Sequence, residues 1–306
     1  MSPRDESLSP EAIERAFLER GFVCTGEVSI TLHLAERLGK PVLLEGPPGV
    51  GKTEIGKLWA AFHGARLLRL QCYEGLDEAK ALYEWAYGKQ MLYTQLLREK
   101  TGELLAGTTD LADAIRRLGG QADAFFSREF LLERPLLAAI TAADPVVLLI
   151  DEIDRADEEF EAFLLELLSD FQVSIPELGT IRARRPPRVV LTSNDSRDLA
   201  DALRRRCLYL YVDYPGFEEE LRILESRVPG ISDKLARAVA RFSQSLRKAD
   251  LRKQPGIAEV VDWALALVTV GAEDLGRESV RRTLGALLKN RDDVERVMSD
   301  LTRFRS

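Results

Sequence analysis

The sequence predicts an α/β fold, in which a doubly wound parallel sheet is followed by a small all-helical domain. Five apolar segments alternate with helical segments up to about residue 214, which is typical of a sheet covered by helices on both faces. Beyond that residue the apolar residues recur only with the helical period. A glycine-rich loop after the first apolar segment adds a strand–loop–helix unit of the kind that binds phosphate.

The predicted strands are apolar runs bounded by glycine, proline and polar residues. The third run, Pro-Val-Val-Leu-Leu-Ile, is apolar without alternation, which is typical of a central strand buried on both faces. A small hairpin is expected between the third and fourth strands, over about 173–182. The five strands of the sheet are predicted at 41–45, 66–71, 145–150, 188–193 and 207–212.

Helices are predicted from apolar periodicity and from capping residues. Ser9-Pro10-Glu11 combines an N-cap with a proline and an acid in the first turn, so a helix should begin there. We expect a mainly helical insertion over about 75–143 and a helix that contains Phe160 and Leu167. The C-terminal helices are predicted at 217–227, 233–248, 257–269, 277–288 and 291–303. The expected domains are therefore residues 1–214 and 215–306.

The bulk composition excludes several classes of protein. The chain has 306 residues, of which 45% are hydrophobic and 30% charged, as in ordinary globular proteins. Its net charge of −7 argues against general nucleic-acid binding. The three cysteines form no C-x-x-C pair, so neither a zinc site nor a disulfide framework is indicated. No apolar run approaches the ~20 residues that span a bilayer, and we expect a cytoplasmic protein that reaches a membrane only through partners.

The segment Gly46-Pro-Pro-Gly-Val-Gly-Lys-Thr53 fits the phosphate-loop pattern G-x-x-x-x-G-K-S/T at every fixed position. In such a loop the backbone N–H groups and the start of the following helix bind phosphate. Lys52 would reach the β- and γ-phosphates, and the Thr53 hydroxyl would bind Mg²⁺. The sequence therefore predicts an ATP and Mg²⁺ site at Gly46, Pro47, Pro48, Gly49, Val50, Gly51, Lys52, Thr53 and Glu54.

Two acids, Asp151 and Glu152, directly follow the central apolar run. The Asp151 carboxylate would bind Mg²⁺ through water, because Mg²⁺ keeps much of its hydration shell. Glu152 would orient and polarise the attacking water. Acids are also common at the starts of helices, but the phosphate loop upstream favours the catalytic interpretation.

Polar residues also follow or precede the last two strands of the sheet. Asn194 ends the fourth strand, and ligands of parallel sheets lie at this end of the strands, so Asn194 is expected near Asp151 and the phosphate loop. It would contact the γ-phosphate or the attacking water; a plain turn asparagine is the alternative. The arginines before the fifth strand either stabilise a phosphoryl group held by a neighbouring subunit or form a solvated turn; they are Arg204, Arg205 and Arg206.

Taken in order, these motifs resemble those of the AAA+ ATPases. Within them the chain is similar to the MoxR group, in which a small hairpin precedes the fourth strand. It is most similar to the CoxD-type branch, through the phrases at 70–76, 149–156, 171–180, 202–207 and 256–264. The resemblance implies a five-stranded sheet in the order 5-1-4-3-2 and a helical lid domain.

The resemblance also implies an ATP-hydrolysing chaperone that forms a homo-oligomeric ring, a hexamer with each site at a subunit interface. It assigns Asn194 to the first sensor, and Arg206, with Arg205 next, to the arginine that completes the neighbour's site. The partners it implies are a von Willebrand A domain protein and a molybdenum hydroxylase. For the CoxD branch the implied client is carbon monoxide dehydrogenase, and the implied role is maturation of its molybdenum–copper centre.

The second sensor of the family is usually an arginine at the start of a helix in the small domain. Here Gln254-Pro-Gly-Ile257 lies near that place, preceded by Arg252 and Lys253. Which residue, if any, fills this role is left open by the sequence. Two other functions remain open as well, namely a nucleic-acid remodelling AAA+ ATPase of the clamp-loader kind and a phosphate-loop kinase for a small molecule.

Overall fold

This computed structural model describes residues 8–93, 95, 128–176 and 178–305. Its strands include the five predicted from apolar runs, whose bounds agree closely with the predictions. In chain order they are β1 (Val42–Glu45), β2 (Arg66–Gln71), β3 (Tyr83–Trp85), β4 (Leu131–Glu133), β5 (Val146–Asp151), β6 (Gln172–Ile175), β7 (Gly179–Arg182), β8 (Arg188–Ser193) and β9 (Leu208–Tyr211).

The helices include those predicted from residue 217 onward, which begin and end close to the predicted residues. In chain order they are α1 (Pro10–Leu18), α2 (Gly26–Leu38), α3 (Lys52–Phe62), α4 (Glu78–Leu82), α5 (Pro135–Thr141), α6 (Glu158–Asp170), α7 (Asp201–Arg206), α8 (Phe217–Arg227), α9 (Asp233–Arg247), α10 (Ile257–Thr269), α11 (Arg277–Leu287), α12 (Arg291–Ser299) and α13 (Leu301–Arg305). Residues 87–93 are helical as well. The last predicted helix is thus two helices that meet at Asp300.

The central sheet has five strands in the order β2-β5-β8-β1-β9. The pairs β1–β9 and β2–β5 are parallel. When only these five strands are numbered 1 to 5 along the chain and the sheet is read from β9, the order is 5-1-4-3-2. The predicted fold class and strand order are therefore confirmed. Every residue of β1 and of β5 is buried, as expected for inner strands covered on both faces.

The hairpin predicted at about 173–182 is confirmed, because β6 and β7 pair antiparallel from Gln172 and Arg182 to Ile175 and Gly179. The mainly helical segment expected at about 75–143 stays a prediction, and it also contains two short strands. Among the described residues, β3 and β4 form an antiparallel pair that joins Trp85 to Leu131. Local periodicity misses a pairing between segments so far apart in sequence. The remainder of that prediction, at 96–127, lies outside the described residues.

The chain divides into two compact units. The first comprises Met1–His63, Leu191–Ser196 and Cys207–Ser306, and the second comprises Gly64–Val190 and Arg197–Arg206. The boundary expected near residue 214 stays a prediction. In the part of the chain that the structure describes, no helix combines the length and apolarity that crossing a membrane requires.

The C-terminal helices of the first unit share an apolar core. Phe242 of α9 and Trp263 of α10 are fully buried, with ring centroids 5.0 Å apart. The Trp263 indole donates to the Thr283 hydroxyl of α11 at 2.9 Å, so its polar atom is satisfied. Aromatic side chains buried to this degree each contribute about 3–5 kcal/mol against truncation to alanine. The helix α10 is therefore held in place by a packed core.

Candidate nucleotide-binding and hydrolysis site

The phosphate loop joins β1 to α3 and requires glycine at three places. Gly46, Gly49 and Gly51 have φ of 152°, 81° and 99°, values that other residues rarely adopt. A Cβ on Gly46 would lie 2.0 Å from the carbonyl oxygen of Val212, so no side chain fits there. The fixed glycines of the motif are thus demanded by the backbone of the loop.

The loop presents backbone donors that suit an anion. Pro48 and Gly49 form a turn of the loop, and among the described residues the amides of Gly49 and Gly51 donate to no backbone carbonyl. The helix α3 begins at Lys52 without a side-chain cap, so the start of this helix adds its positive end to the same place. These groups fit the phosphates of a nucleotide, the ligand that the motif predicts.

Lys52 is buried although it carries a charge, with 5% of its surface exposed. Its ammonium donates to the carbonyl oxygens of Gly46 and Pro47, each at 2.7 Å, and to Asn194 Oδ1 at 2.9 Å. A lysine has three donors, and a buried ammonium is stable only when they are used. The structure therefore brings Asn194, at the end of β8, together with the phosphate loop, while the role of Asn194 stays a prediction.

The other predicted loop residues lie where the motif requires them. Pro48 lies in the turn of the loop and Val50 is buried. Thr53 follows Lys52 in the first turn of α3, as a hydroxyl ligand for Mg²⁺ must. Glu54 pairs with Lys57 of the same helix at 3.1 Å, with both side chains nearly half exposed.

Asp151, the last residue of β5, is bound by an arginine that the sequence analysis did not single out. Asp151 is 2% exposed, and its Oδ2 accepts from Arg69 Nε at 3.0 Å and from Arg69 Nη2 at 2.5 Å. The same guanidinium donates to Gln71 Oε1 at 2.7 Å, and Gln71 lies opposite Asp151 in the register of β2 with β5. A lone arginine in a strand belongs to no motif, so no sequence signal identified Arg69.

Glu152 follows Asp151 with a left-handed backbone, at φ 56° and ψ 52°. Such a conformation costs a residue with a Cβ about 1–3 kcal/mol and is concentrated at functional sites. Its carboxylate accepts from Arg155 Nη1 at 3.1 Å, in the short 3₁₀ turn that follows.

Cys72 lies beside Asp151, and its amide donates to the Asp151 carbonyl at 2.8 Å. Burial and the carboxylate of Asp151 raise the pKa of the Cys72 thiol to about 12.

The predicted arginines lie on α7. Arg206 donates through Nη2 to the carbonyl of Ser169, near the end of α6, at 2.5 Å. Arg205 has 83% of its side chain exposed, and its guanidinium lies 3.8 Å from Asp201. Both side chains are exposed, as an arginine that acts on another subunit must be. Which of them acts in this way stays a prediction.

The turn at 254–257, near which the second sensor is expected, contains a glycine. Gly256 directly precedes α10, and the amide of Ile257 donates to the carbonyl of Gly49 at 3.0 Å. Of the two cations upstream, Arg252 pairs with Asp292 at 2.8 Å, and Lys253 lies 3.9 Å from Glu259, whose Oε2 would lie 3.4 Å from a Cβ on Gly49. A backbone contact, rather than either of these two cations, thus connects this turn to the phosphate loop.

Comparisons with known proteins agree with this arrangement. The chain is 22% identical over 276 residues to the denitrification regulatory protein NirQ of Pseudomonas aeruginosa, a match that covers 88% of this chain and 91% of NirQ. Among solved structures, a mutant of Thermotoga maritima RuvB is 20% identical with a TM-score of 0.51. The match covers 90% of this chain and 76% of the RuvB chain. The RuvB Holliday junction branch migration motor of the same organism is 20% identical with a TM-score of 0.48 over 90% and 75%.

These likenesses differ in what they show. The chain spans 66% to 76% of the length of the RuvB chains, and the mutant with the TM-score of 0.51 shows likeness of fold alone. Residues 41–207, more than half of the chain, match the family model of the AAA domain, dynein-related subfamily. An AAA domain implies ATP and Mg²⁺ binding and ATPase activity in general. The chain belongs to the AAA domain family, in its dynein-related subfamily.

Proposed function

We propose that the chain is an ATP-hydrolysing AAA+ chaperone, of the MoxR group and CoxD-like, that remodels a client protein. The observation that carries the proposal is the phosphate loop, whose buried Lys52 is bound to Asn194 and which runs into the start of α3. The order of the sheet supports it, because β1, β8 and β5 are successive neighbours. Their carboxyl ends, which lead to the phosphate loop, Asn194 and Asp151, are the ends where parallel sheets bind ligands.

In this proposal each residue has one task. The loop amides and Lys52 bind the β- and γ-phosphates, and Thr53 and Asp151 would hold Mg²⁺, which neutralises phosphate charge when bound. Glu152 accepts a proton from the attacking water at its carboxylate. The water oxygen bonds to the γ-phosphorus as the bond to the leaving ADP oxygen breaks, which gives ADP and phosphate.

The contact between Lys52 and Asn194 supplies a switch for this step. An ammonium has three donors, so a phosphate oxygen that approaches Lys52 competes with the carbonyls of Gly46 and Pro47 and with Asn194 Oδ1. We infer that Asn194 is the acceptor released, because its side chain can rotate whereas the carbonyls of Gly46 and Pro47 are fixed in the loop. The freed amide then orients the attacking water.

Assembly and partners are also part of the proposal. A hexameric ring would let Arg206, or the more exposed Arg205, complete the site of the next subunit. The resemblance to the CoxD-type branch supports a molybdenum hydroxylase client and a von Willebrand A domain partner. A cytoplasmic location agrees with the free cysteines, which are Cys24, Cys72 and Cys207.

The test combines activity with capture. The purified chain should release phosphate from ATP, and Glu152→Gln should bind ATP and retain its client during purification. A molybdenum hydroxylase or a von Willebrand A protein in the captured fraction supports the proposal. Hydrolysis that requires DNA at low salt, or phosphoryl transfer to a small molecule instead of water, would replace it with one of the competing functions.

A further inference from the structure

The phosphate loop and the turn before α10 pack backbone against backbone. A Cβ on Gly256 would lie 2.8 Å from Gly49 Cα and 3.0 Å from Gly49 O, and a Cβ on Gly49 would lie 3.0 Å from Gly256 Cα. The Glu259 carboxylate lies beside this backbone contact, with Oε2 at 2.8 Å from the Cβ on Gly256 and 3.4 Å from the Cβ on Gly49. Real Cβ atoms essentially never approach other atoms within 3.0 Å. A side chain at Gly256 therefore requires the loop or the turn to shift, although Gly256 has φ −77° and needs no glycine for its own conformation. At Gly49 the contact is tight, and its φ of 81° favours glycine as well.

A hydrogen bond adds direction to this contact. The amide of Ile257, the first residue of α10, donates to the carbonyl of Gly49 at 3.0 Å. The first amides of a helix have no partner within the helix, so the loop carbonyl satisfies one of them. A trans peptide is planar, and its carbonyl and N–H point in opposite directions. Binding of the Gly49 carbonyl by α10 therefore aims the amide of Val50 away from α10.

The turn itself is held by a buried ion pair. Arg247 is 7% exposed and Glu220 is fully buried, and Arg247 Nη1 and Nη2 bind the two carboxylate oxygens of Glu220 at 3.0 and 2.8 Å. Arg247 Nε also donates to the carbonyl of Pro255 at 3.4 Å, and Gln254 donates to the carbonyl of Arg247 at 2.9 Å. A bidentate pair of this kind gives geometric precision, so the position of Gly256 is fixed independently of the loop.

We propose that Gly256 and Ile257 are positioning residues for the nucleotide, which set the direction of the Val50 amide through the carbonyl of Gly49. The start of α10 thus acts on the phosphate loop through backbone atoms. Only the identity of the ligand in this inference rests on the proposed function. The contact itself concerns the protein without nucleotide and is testable separately.

The chain offers a closely matched control for Gly256. Gly216 also directly precedes a helix, α8, with φ −67° and ψ 170° against −77° and 172° at Gly256. A Cβ on Gly216 would meet nothing within 4 Å. The cost of replacing a glycine cap by alanine is therefore common to both positions, and only Gly256→Ala pushes the turn away from the phosphate loop.

The experiment compares Gly256→Ala with Gly216→Ala in the full chain. Hydrogen–deuterium exchange without nucleotide should be faster at residues 46–53 and at the amide of Ile257 in Gly256→Ala only. The dissociation constant of a fluorescent N-methylanthraniloyl ADP should rise roughly tenfold in Gly256→Ala and less than about twofold in Gly216→Ala. Unchanged exchange, equal effects of the two variants, or altered exchange with an unaltered dissociation constant would each overturn the inference.

A second pair keeps the test decisive if Gly256→Ala does not fold. Ile257→Pro removes the donor while a proline suits the first position of a helix. Arg277→Pro is its control, because Arg277 begins α11 and, within the described residues, its amide donates to no backbone carbonyl. Weaker ADP binding in the first variant alone supports the inference, and equal binding overturns it. If the wild-type chain binds no ADP derivative, the proposed function fails, whereas the exchange measurement still decides the contact.

Discussion

Arg69 and Asp151 are joined across neighbouring strands by two hydrogen bonds to one carboxylate oxygen, at 2.5 and 3.0 Å. Asp151 is the residue that we propose for Mg²⁺, so a guanidinium lies where the charge of the ion would act. The pair satisfies a carboxylate that is 2% exposed. Mg²⁺ must therefore compete with the Arg69 guanidinium for the electrostatic attraction of the Asp151 carboxylate.

We accordingly expect Arg69→Gln to increase the affinity for Mg²⁺. The half-saturating Mg²⁺ concentration for binding of a fluorescent ATP analogue should fall roughly two- to fivefold, because the competing state is removed. The melting temperature without Mg²⁺ should also fall, because the buried carboxylate loses its partner. Arg134→Gln is the control, since Arg134 forms an exposed pair with Glu84 at 2.6 Å. An unchanged or higher Mg²⁺ requirement in Arg69→Gln would contradict the competition.

Lys52→Ala should abolish ATP binding or hydrolysis. The ammonium is the charged donor of the loop, and such hydrogen bonds contribute about 1.5–3 kcal/mol each. Lys57→Ala removes a lysine from the same helix whose side chain is 46% exposed and pairs with Glu54, and this control should keep normal turnover. Phosphate release and equilibrium binding measure the two effects. Wild-type turnover by Lys52→Ala would remove the loop from the mechanism.

Glu152→Gln should bind ATP but hydrolyse it at least ~100-fold more slowly, because loss of a general base typically costs a factor of 10²–10⁴. The backbone adds a second readout. At φ 56° a glycine is unstrained, so Glu152→Gly should be as inactive while its free energy of unfolding is higher by about 1 kcal/mol. Single-turnover hydrolysis and urea unfolding check the two statements. Normal hydrolysis by Glu152→Gln would exclude Glu152 as the base.

The sequence predicted the sheet well because its signals are local. The run that became β5 is apolar at each position but the last, and all six of its residues are buried. The strand order followed from the resemblance, since no local pattern states which strands are neighbours. The phosphate loop was predictable residue by residue, because Gly46, Gly49 and Gly51 answer to backbone geometry that only glycine meets.

Contacts between distant segments were beyond the sequence. Arg69 contacts Asp151, and Gly256 contacts Gly49, although the residues of each pair are far apart in sequence. Hydrophobic periodicity is a local pattern and does not predict such contacts. The strands that contain Trp85 and Leu131 were missed for the same reason. Each of these pairs depends on tertiary packing, and a single charged residue or glycine within an element has many structural uses.

The last prediction concerns an arginine acting between subunits. Arg206→Ala and Glu152→Gln should each be inactive alone. Mixed at equal concentration in randomly assembled rings, about a quarter of the sites would combine an intact Glu152 with an intact Arg206 from the neighbour, so activity should return to about a quarter of the wild-type value. An arginine acting within its own subunit gives no such recovery.

Repeating the mixture with Arg205→Ala decides between the two arginines. Arg206 donates to the carbonyl of Ser169 and has a defined direction, whereas Arg205 is 83% exposed. Arg205→Ala alone should therefore keep most of its activity, because an arginine finger needs a fixed geometry. If Arg205→Ala is inactive and recovers on mixing while Arg206→Ala is active, the finger is Arg205. If the chain is monomeric with ATP and hydrolyses it at full rate, no arginine acts between subunits.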